Sequence, residues 1–393
     1  MSAKWMKRRH FLVAASGAAL AAALDVSGRR LSAEAQPPAR PLHVHLWCWD
    51  SRMTWDDEPA AISLRMAAAD QKFVYPKRPE SFLIGFKRLV DYCARIGVHS
   101  ITIWGFLRAA HGGVKAAAEL CEYAADRGVG ILPGVGLCSY GGYFYDGDHR
   151  FNLDTYLREH PERASSAREE RGGRVVTPVL DPSLAANQAW WRDGLEWMLE
   201  TFKIAGINYE MGDFVINSSP EAAAARAALG FEADGNILDI VVATRDLMDY
   251  AYRAKPDGVF INCTYRGCQD ISGFPKMPYV DAVHPDTVWE YTLAGMVRRP
   301  GFPGEFAGMP EHRKYGYLHW FNPSTNTTDT DYVAEIARVF PGLVQLEFDF
   351  AGTYGEVSAI GNLLADRNYQ AQAAWAKDPA LTLDAFNAGF QPA

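Results

Sequence analysis

From Pro41 onward the apolar residues follow a repeating pattern. A run spaced three and four apart gives way to Gly or Pro, and then to a short continuous apolar run ending in polar or aromatic residues. Leu83, Phe86, Leu89, Val90, Cys93 and Ile96 have helical spacing, Gly97 suits a left-handed cap, and Val98 to Trp104 follows as a strand. The pattern returns over Ala117 to Arg127, Gly128 and Val129 to Val135, then over Trp191 to Phe202, Gly206 and Ile207 to Glu210. It returns again over Ile237 to Arg253, Pro256 and Gly258 to Cys263, and over Tyr332 to Val339, Pro341-Gly342 and Leu343 to Glu347. His43 to Trp49 reads as the first strand and Tyr315 to Trp320 as a late one.

Strands alternating with helices predict a parallel sheet. Right-handed crossovers and about eight such units in about 250 residues or more make a (β/α)₈ barrel the expected fold. The alternative is a doubly wound open sheet, which is normally marked by a Gly-rich phosphate turn after its first strand. Here the first strand runs instead into Trp47, Cys48, Trp49, Asp50 and Trp55, and Gly134-x-Gly136 reads as two glycines in a loop. Leu137 to Ser183 is a long stretch rich in Tyr and charge, expected as an extended third βα loop. The sixth strand is either Tyr279 to His284 or Thr287 to Tyr291, a choice that puts either His284 or Glu290 at the cavity.

The first 35 residues stand apart from this pattern. Lys4, Lys7, Arg8 and Arg9 precede an apolar, Ala-rich run from Phe11 to Leu24 that is short for a bilayer span. Arg8-Arg9-His10-Phe11-Leu12 resembles the twin-arginine export motif, and Ala33-Glu34-Ala35 has the small-x-small form of a cleavage site. The expectation is a signal peptide over 1–35, cut before Gln36, and a single catalytic domain over 36–393 in the periplasm or outside the cell. An uncleaved N-terminal anchor is the alternative.

Charge narrows the partners. The chain carries 39 Lys+Arg against 47 Asp+Glu, a net −8. Residues 1–35 hold six of the bases and two of the acids, so the remaining 358 residues carry 33 against 45, a net −12. An acidic chain is not expected to bind nucleic acid, whose phosphates call for a basic surface, nor a membrane once the signal is removed. With 48% hydrophobic and 22% charged residues the composition is that of a globular domain. It sets no oligomeric state. Of the six cysteines, Cys93 and Cys121 fall in helical patterns and Cys48, Cys138 and Cys263 near strand ends, so most read as small buried hydrophobes. Cys263 and Cys268 are the one close pair, where a local bridge is open either way. No CxxC or HExxH spacing is present.

On a barrel the residues at the C-terminal strand ends face the active site. Those ends carry aromatics and carboxylates: Trp47, Trp49 and Asp50; Trp104 and Arg108; Asn208, Tyr209, Glu210 and Asp213; Asn262, Tyr265 and Arg266; His319, Trp320 and Asn322; Glu347, Asp349, Tyr354 and Glu356. Aromatic planes stack on the apolar faces of pyranose rings, while amides and carboxylates bond the hydroxyls, so this rim suits a sugar. In Leu346-Glu347-Phe348-Asp349 the alternation puts both acids on one strand face.

A Glu at the end of the fourth strand, aromatic loop ends and a second carboxylate on a late strand together resemble the (β/α)₈ glycoside hydrolases. The resemblance implies that Glu210 is the general acid and that Glu347 is the base or nucleophile, with Glu290, Asp213 and Asp349 the other candidates. Asp213 and Asp349 would then tune the pair, Trp47, Trp49, Trp104, His319 and Trp320 would form a sugar platform, and no cofactor would be needed. Arg108 and Arg266 suit a substrate carboxylate, as on a uronic acid. Two features depart from the family: Tyr209 stands where the largest retaining clan has Asn, and the seventh strand ends in His319-Trp320 with no Glu. Glu210, His284 and Glu347 also resemble the ligands of Mg²⁺- or Mn²⁺-dependent sugar isomerases of the xylose-isomerase type, although the fifth strand, ending Asn262-Cys263-Thr264, lacks the expected Asp or His. A non-catalytic carbohydrate-binding barrel is the third reading. A Ser hydrolase lacks its Gly-x-Ser-x-Gly turn.

Overall fold

The computed structural model describes residues 43–49, 79–137, 147–171, 174–181, 184–210, 247–263, 288–289, 315–318, 345–349, 363–378 and 380–392, with positions 145, 220, 223, 224 and 227. For Trp49, Glu210, Asn262, Cys263 and the last three strands, the backbone alone is described.

Eight parallel strands form one sheet: β1 His43–Trp49, β2 Ser100–Trp104, β3 Gly130–Gly136, β6 Gly206–Glu210, β7 Val259–Cys263, β8 Val288–Trp289, β9 Tyr315–Leu318 and β10 Gln345–Asp349. Their order is β8-β7-β6-β3-β2-β1-β10-β9, with each neighbour hydrogen-bonded to the next. The last strand therefore returns beside the first, as a barrel requires. Two boundaries refine the sequence pattern. The sixth strand is Val288–Trp289, within the second of the two expected segments, and His284 precedes it. The eighth continues past Glu347 to Asp349, because β1 offers partners up to Trp47.

The helices follow the expected grammar. In α1, Pro79–Ile96, the residues Phe82, Phe86, Leu89, Val90 and Cys93 are wholly buried against the sheet. It ends at Gly97, whose φ of +83° any side chain would strain, with its N–H donating to Cys93 O at 2.9 Å. α2, Gly113–Ala125, follows β2 and buries Ala117, Leu120 and Ala124.

The expected loop after β3 contains its own structure. α3, Leu153–Glu159, is capped by Asn152, whose Oδ1 accepts from the Thr155 N–H at 2.8 Å. An antiparallel hairpin follows, β4 Ala164–Arg171 with β5 Arg174–Leu180. α4, Ala185–Thr201, ties this insertion down through Asn187, which is fully buried. Its Nδ2 donates to Arg163 O at 2.9 Å and Asp181 O at 2.7 Å, and its Oδ1 accepts from the Tyr156 hydroxyl at 2.9 Å. Tyr145 and His149 stack with ring centroids 4.6 Å apart, and Trp197 lies tilted against His149, also at 4.6 Å. His149 has its pKa lowered by desolvation and by the Arg150 charge, with Asp148 opposing.

Residues 247–254 are helical before β7, and α5, Leu363–Lys377, follows β10. α5 docks on α1: the Tyr92 hydroxyl donates to Asp366 Oδ1 at 2.9 Å, and Lys377 Nζ donates to Ile96 O at 3.0 Å, at the end of α1. α6, Leu383–Gly389, closes the described chain. Cys48, Cys93 and Cys121 are buried thiols outside any disulfide, as expected of small hydrophobes, and burial raises the Cys93 and Cys121 pKa values. The Cys263–Cys268 question lies outside the described side chains, as do Cys138 and the segment 332–339.

Candidate functional site

Each strand divides its residues between two faces. Val44, Leu46, Cys48, Ile101, Ile103, Ile131, Val135, Ile207, Tyr209 and Phe260 pack with the helices in the main apolar core. The opposite face carries His45, Trp47, Ser100, Thr102, Trp104, Leu132, Asn208 and Ile261, all buried and all outside that core. Barrel interiors are usually filled by branched apolar residues. This face of the sheet carries an imidazole, two hydroxyls and an amide.

Register extends the lining face to residues described by backbone. His45 is level with Glu347 and Trp47 with Asp349, so both acids of β10 share the face of His45 and Trp47. Glu210 ends β6, level with Gly136 and Cys263, the last residues of β3 and β7. Two residues deeper on the same face is Asn208, level with Gly134 and Ile261. Its amide nitrogen and oxygen are both buried and have no hydrogen-bond partner among the described residues. A buried amide left so costs about 1–3 kcal/mol. Such a group is suited to meet water or a ligand entering from the rim.

Trp47 and Trp104 lie with ring centroids 6.4 Å apart at 37°. Trp104 is fully buried and covers Gly134, where a Cβ would stand 2.5 Å from the indole. Gly134 therefore belongs to β3 and not to a loop as its sequence suggested; its lack of a side chain is what lets the ring lie on the strand. Arg108, four residues past β2, is almost wholly buried and precedes the short turn Ala109–His111, its carbonyl accepting from the His111 N–H at 3.1 Å. His111 stacks on Phe82 at 4.4 Å.

Tyr209 departs from the rim position that its neighbours suggested. Alternation turns it to the helix side, fully buried, with a hydroxyl that has no hydrogen-bond partner among the described residues and a pKa raised by burial. Asn262 is level with Tyr209, on the strand face opposite Cys263. Removing the Tyr209 hydroxyl should relieve a desolvation penalty. Tyr209→Phe is expected to leave activity unchanged and to raise Tm by about 1 °C per kcal/mol of penalty relieved, the scaling for a chain of 393 residues; calorimetry checks it.

Asp50, Asp213, Tyr265, Arg266, His319, Trp320, His284 and Glu290 lie outside the described residues. His45 and Ser100 were not among the sequence candidates, although His45 Nδ1 is hydrogen-bonded to Ser100 Oγ inside the lining. Their signal was present: His43-Val44-His45-Leu46-Trp47 and Ser100-Ile101-Thr102-Ile103-Trp104 alternate strictly, whereas a buried parallel strand usually reads as continuously apolar. Among the described residues no group of three or more His, Cys, Asp or Glu could hold a metal ion, and no helix is long and apolar enough to cross a membrane.

No family model matches the chain, and no curated protein does. Solved structures do resemble it. An exo-β-N-acetylglucosaminidase of Vibrio harveyi from family GH20 has a TM-score of 0.52 at 10% identity, covering 90% of this chain and 56% of its own. A GH20 β-N-acetylglucosaminidase gives 0.52 at 11% identity, covering 90% and 73%. A β-N-acetylhexosaminidase of Bacteroides fragilis gives 0.51 at 12%, covering 88% and 69%. The chain thus spans just over half the length of the Vibrio harveyi enzyme. The likeness is one of fold: a parallel α/β sheet that fits the barrel of glycoside hydrolases.

Proposed function

We propose that this chain is an exported glycoside hydrolase, a closed (β/α)₈ barrel acting on a poly- or oligosaccharide with two carboxylates and no obligatory cofactor. The observation that carries the reading is the shared face. Glu210 ends β6, the acids Glu347 and Asp349 stand on β10, and both strands present them on the side lined by Trp47, Trp104 and the unpartnered Asn208 amide. The fold likeness to glycosidases agrees with it.

In this reading Glu210 passes its proton to the leaving oxygen as the glycosidic C–O bond breaks. A water oxygen bonds to the anomeric carbon, and the proton it sheds passes to the β10 carboxylate, read from the sequence as Glu347. Exchange with solvent restores both groups. Trp47 and Trp49 at the end of β1, with His319 and Trp320 after β9, supply the stacking surface, and Trp104 braces it from beneath. Asn208, Tyr265, Asp50 and Asp213 bond hydroxyls, Asn262 being turned with Tyr209 and Phe260 to the helix side, and Arg108 and Arg266 favour an acidic sugar. Residues 1–35 direct the chain through twin-arginine export. The isomerase alternative weakens because the sixth strand starts at Val288, after His284.

The test is hydrolysis by protein dialysed against a chelator. The panel holds 4-nitrophenyl glycosides of N-acetylglucosamine, N-acetylgalactosamine, glucose, galactose and glucuronic acid in both anomers, with neutral and acidic polysaccharides. Release of nitrophenol or reducing ends from any member is expected. No release across the panel, with isomerisation of free sugars only when Mg²⁺ or Mn²⁺ is restored, would overturn the reading.

A further inference from the structure

We propose that Asp349, not Glu347, is the carboxylate that acts with Glu210, and that Glu347 belongs to an interior polar row with His45 and Ser100. The proposal rests on the glycosidase reading and assigns the second acid within it.

The register places the two β10 acids at different depths. Glu347 is level with His45, His45 with Ser100, and Ser100 with Gly130. Ser100 and Gly130 are the first residues of β2 and β3, so Glu347 lies in the row where those strands begin. Asp349 ends β10 and is level with Trp47, Thr102 and, on β3, Leu132. Glu210 is level with Gly136.

Strands of a (β/α)₈ barrel are tilted, and its shear of eight over eight strands moves equal height by about one residue per strand. Asp349 and Glu210 are four strands apart through β1, β2 and β3. Equal height therefore corresponds to an offset of about four residues. On β3 the offset between Leu132 and Gly136 is four residues. For Glu347, counted from Gly130, it is six. The strand ends climb in the same sense: Trp49 is two residues past Asp349's partner Trp47, and Gly136 is two past Trp104's partner Gly134. Asp349 thus stands at the height of Glu210, and Glu347 about 6–7 Å back along its tilted strand, about 5 Å lower.

The chemistry of the lower row agrees. A carboxylate within a barrel interior needs a polar neighbour to remain there. His45 is 1% exposed and bonded through Nδ1 to Ser100, and its register neighbour on the other side is Glu347. Ser100 itself is 4% exposed in the row where β2 begins, far from a rim substrate, so the row is no nucleophilic triad. In hydrolysis Asp349 takes the proton shed by the water that bonds the anomeric carbon, while Glu210 gives its own to the leaving oxygen.

Two measurements test this on the full chain. With the aryl glycoside that the wild type cleaves fastest, Asp349→Asn should lower kcat by about a thousandfold, and Glu347→Gln by no more than about tenfold. In thermal unfolding, Glu347→Gln and His45→Phe should each lower Tm, and the double variant should fall no further than the worse single one. Wild-type kcat in Asp349→Asn overturns the assignment, even if Glu347→Gln does not fold. A thousandfold loss confined to Glu347→Gln overturns it too. Additive Tm losses overturn the interior row. If the wild type cleaves no glycoside, the glycosidase reading falls with the role of Asp349, and the Tm cycle still decides whether Glu347 is tied to His45.

Discussion

Glu210→Gln should lower kcat on 4-nitrophenyl glycosides by about a thousandfold, the usual scale for loss of a general acid, while Tm stays within a few degrees of wild type. The substitution keeps size and hydrogen-bonding shape and removes the one transferable proton. Because Glu210 is the last residue of β6, hydrogen-bonded to β3 on one side and β7 on the other, its position is set by sheet pairing and not by a loop. Two further signs separate an acid from a binding group. The loss should shrink sharply on 2,4-dinitrophenyl glycosides, whose leaving group departs without protonation, and the alkaline limb of the rate profile should flatten, because that limb reports deprotonation of the acid. Equal losses on both leaving groups would reassign Glu210 to substrate binding.

Spacing carries far in this chain where one physical cause dominates. Buried parallel strands followed by Gly-capped helices are set by local chemistry, and β1, β2, β3, β6 and β7 lie where the apolar runs place them. The hairpin β4–β5 was less legible among charged residues, although Gly172-Gly173 between two β runs is the signal of a two-residue turn. The sixth strand was ambiguous because two short apolar runs competed for it; among the described residues of this stretch, Val288 and Trp289 pair with β7, too few for periodicity to register. At the site the carboxylates were visible as residue types, but their depths were not. Depth depends on register between strands from distant parts of the chain, as when Gln345 meets His43, and no local window contains that pairing. The same reason hid the partnership of His45 with Ser100, 55 residues apart.

The largest stability effect should come from Gly206→Ala, which is expected to abolish folding or to cost more than about 4 kcal/mol, beyond the ordinary range for a point substitution. Gly206 opens β6, level with Val259 of β7. A Cβ there would lie 1.8 Å from Val259 O, 2.5 Å from Val259 C and 2.7 Å from Val259 N. These are backbone atoms of the partner strand, so no rotamer change relieves the clash, and one strand must move away from the other. That breaks the pairing of Gly206 with Val259 and of Ile207 with Phe260, and it withdraws Ile207 from the helix-facing core. Glu210, four residues along, moves with the strand. Circular dichroism and soluble yield read the result, and a Tm within a few degrees of wild type would show that β6 and β7 do not approach so closely. The contrast with Glu210→Gln is the useful part: one substitution silences the rim and keeps the fold, while the other removes the strand that holds the rim in place.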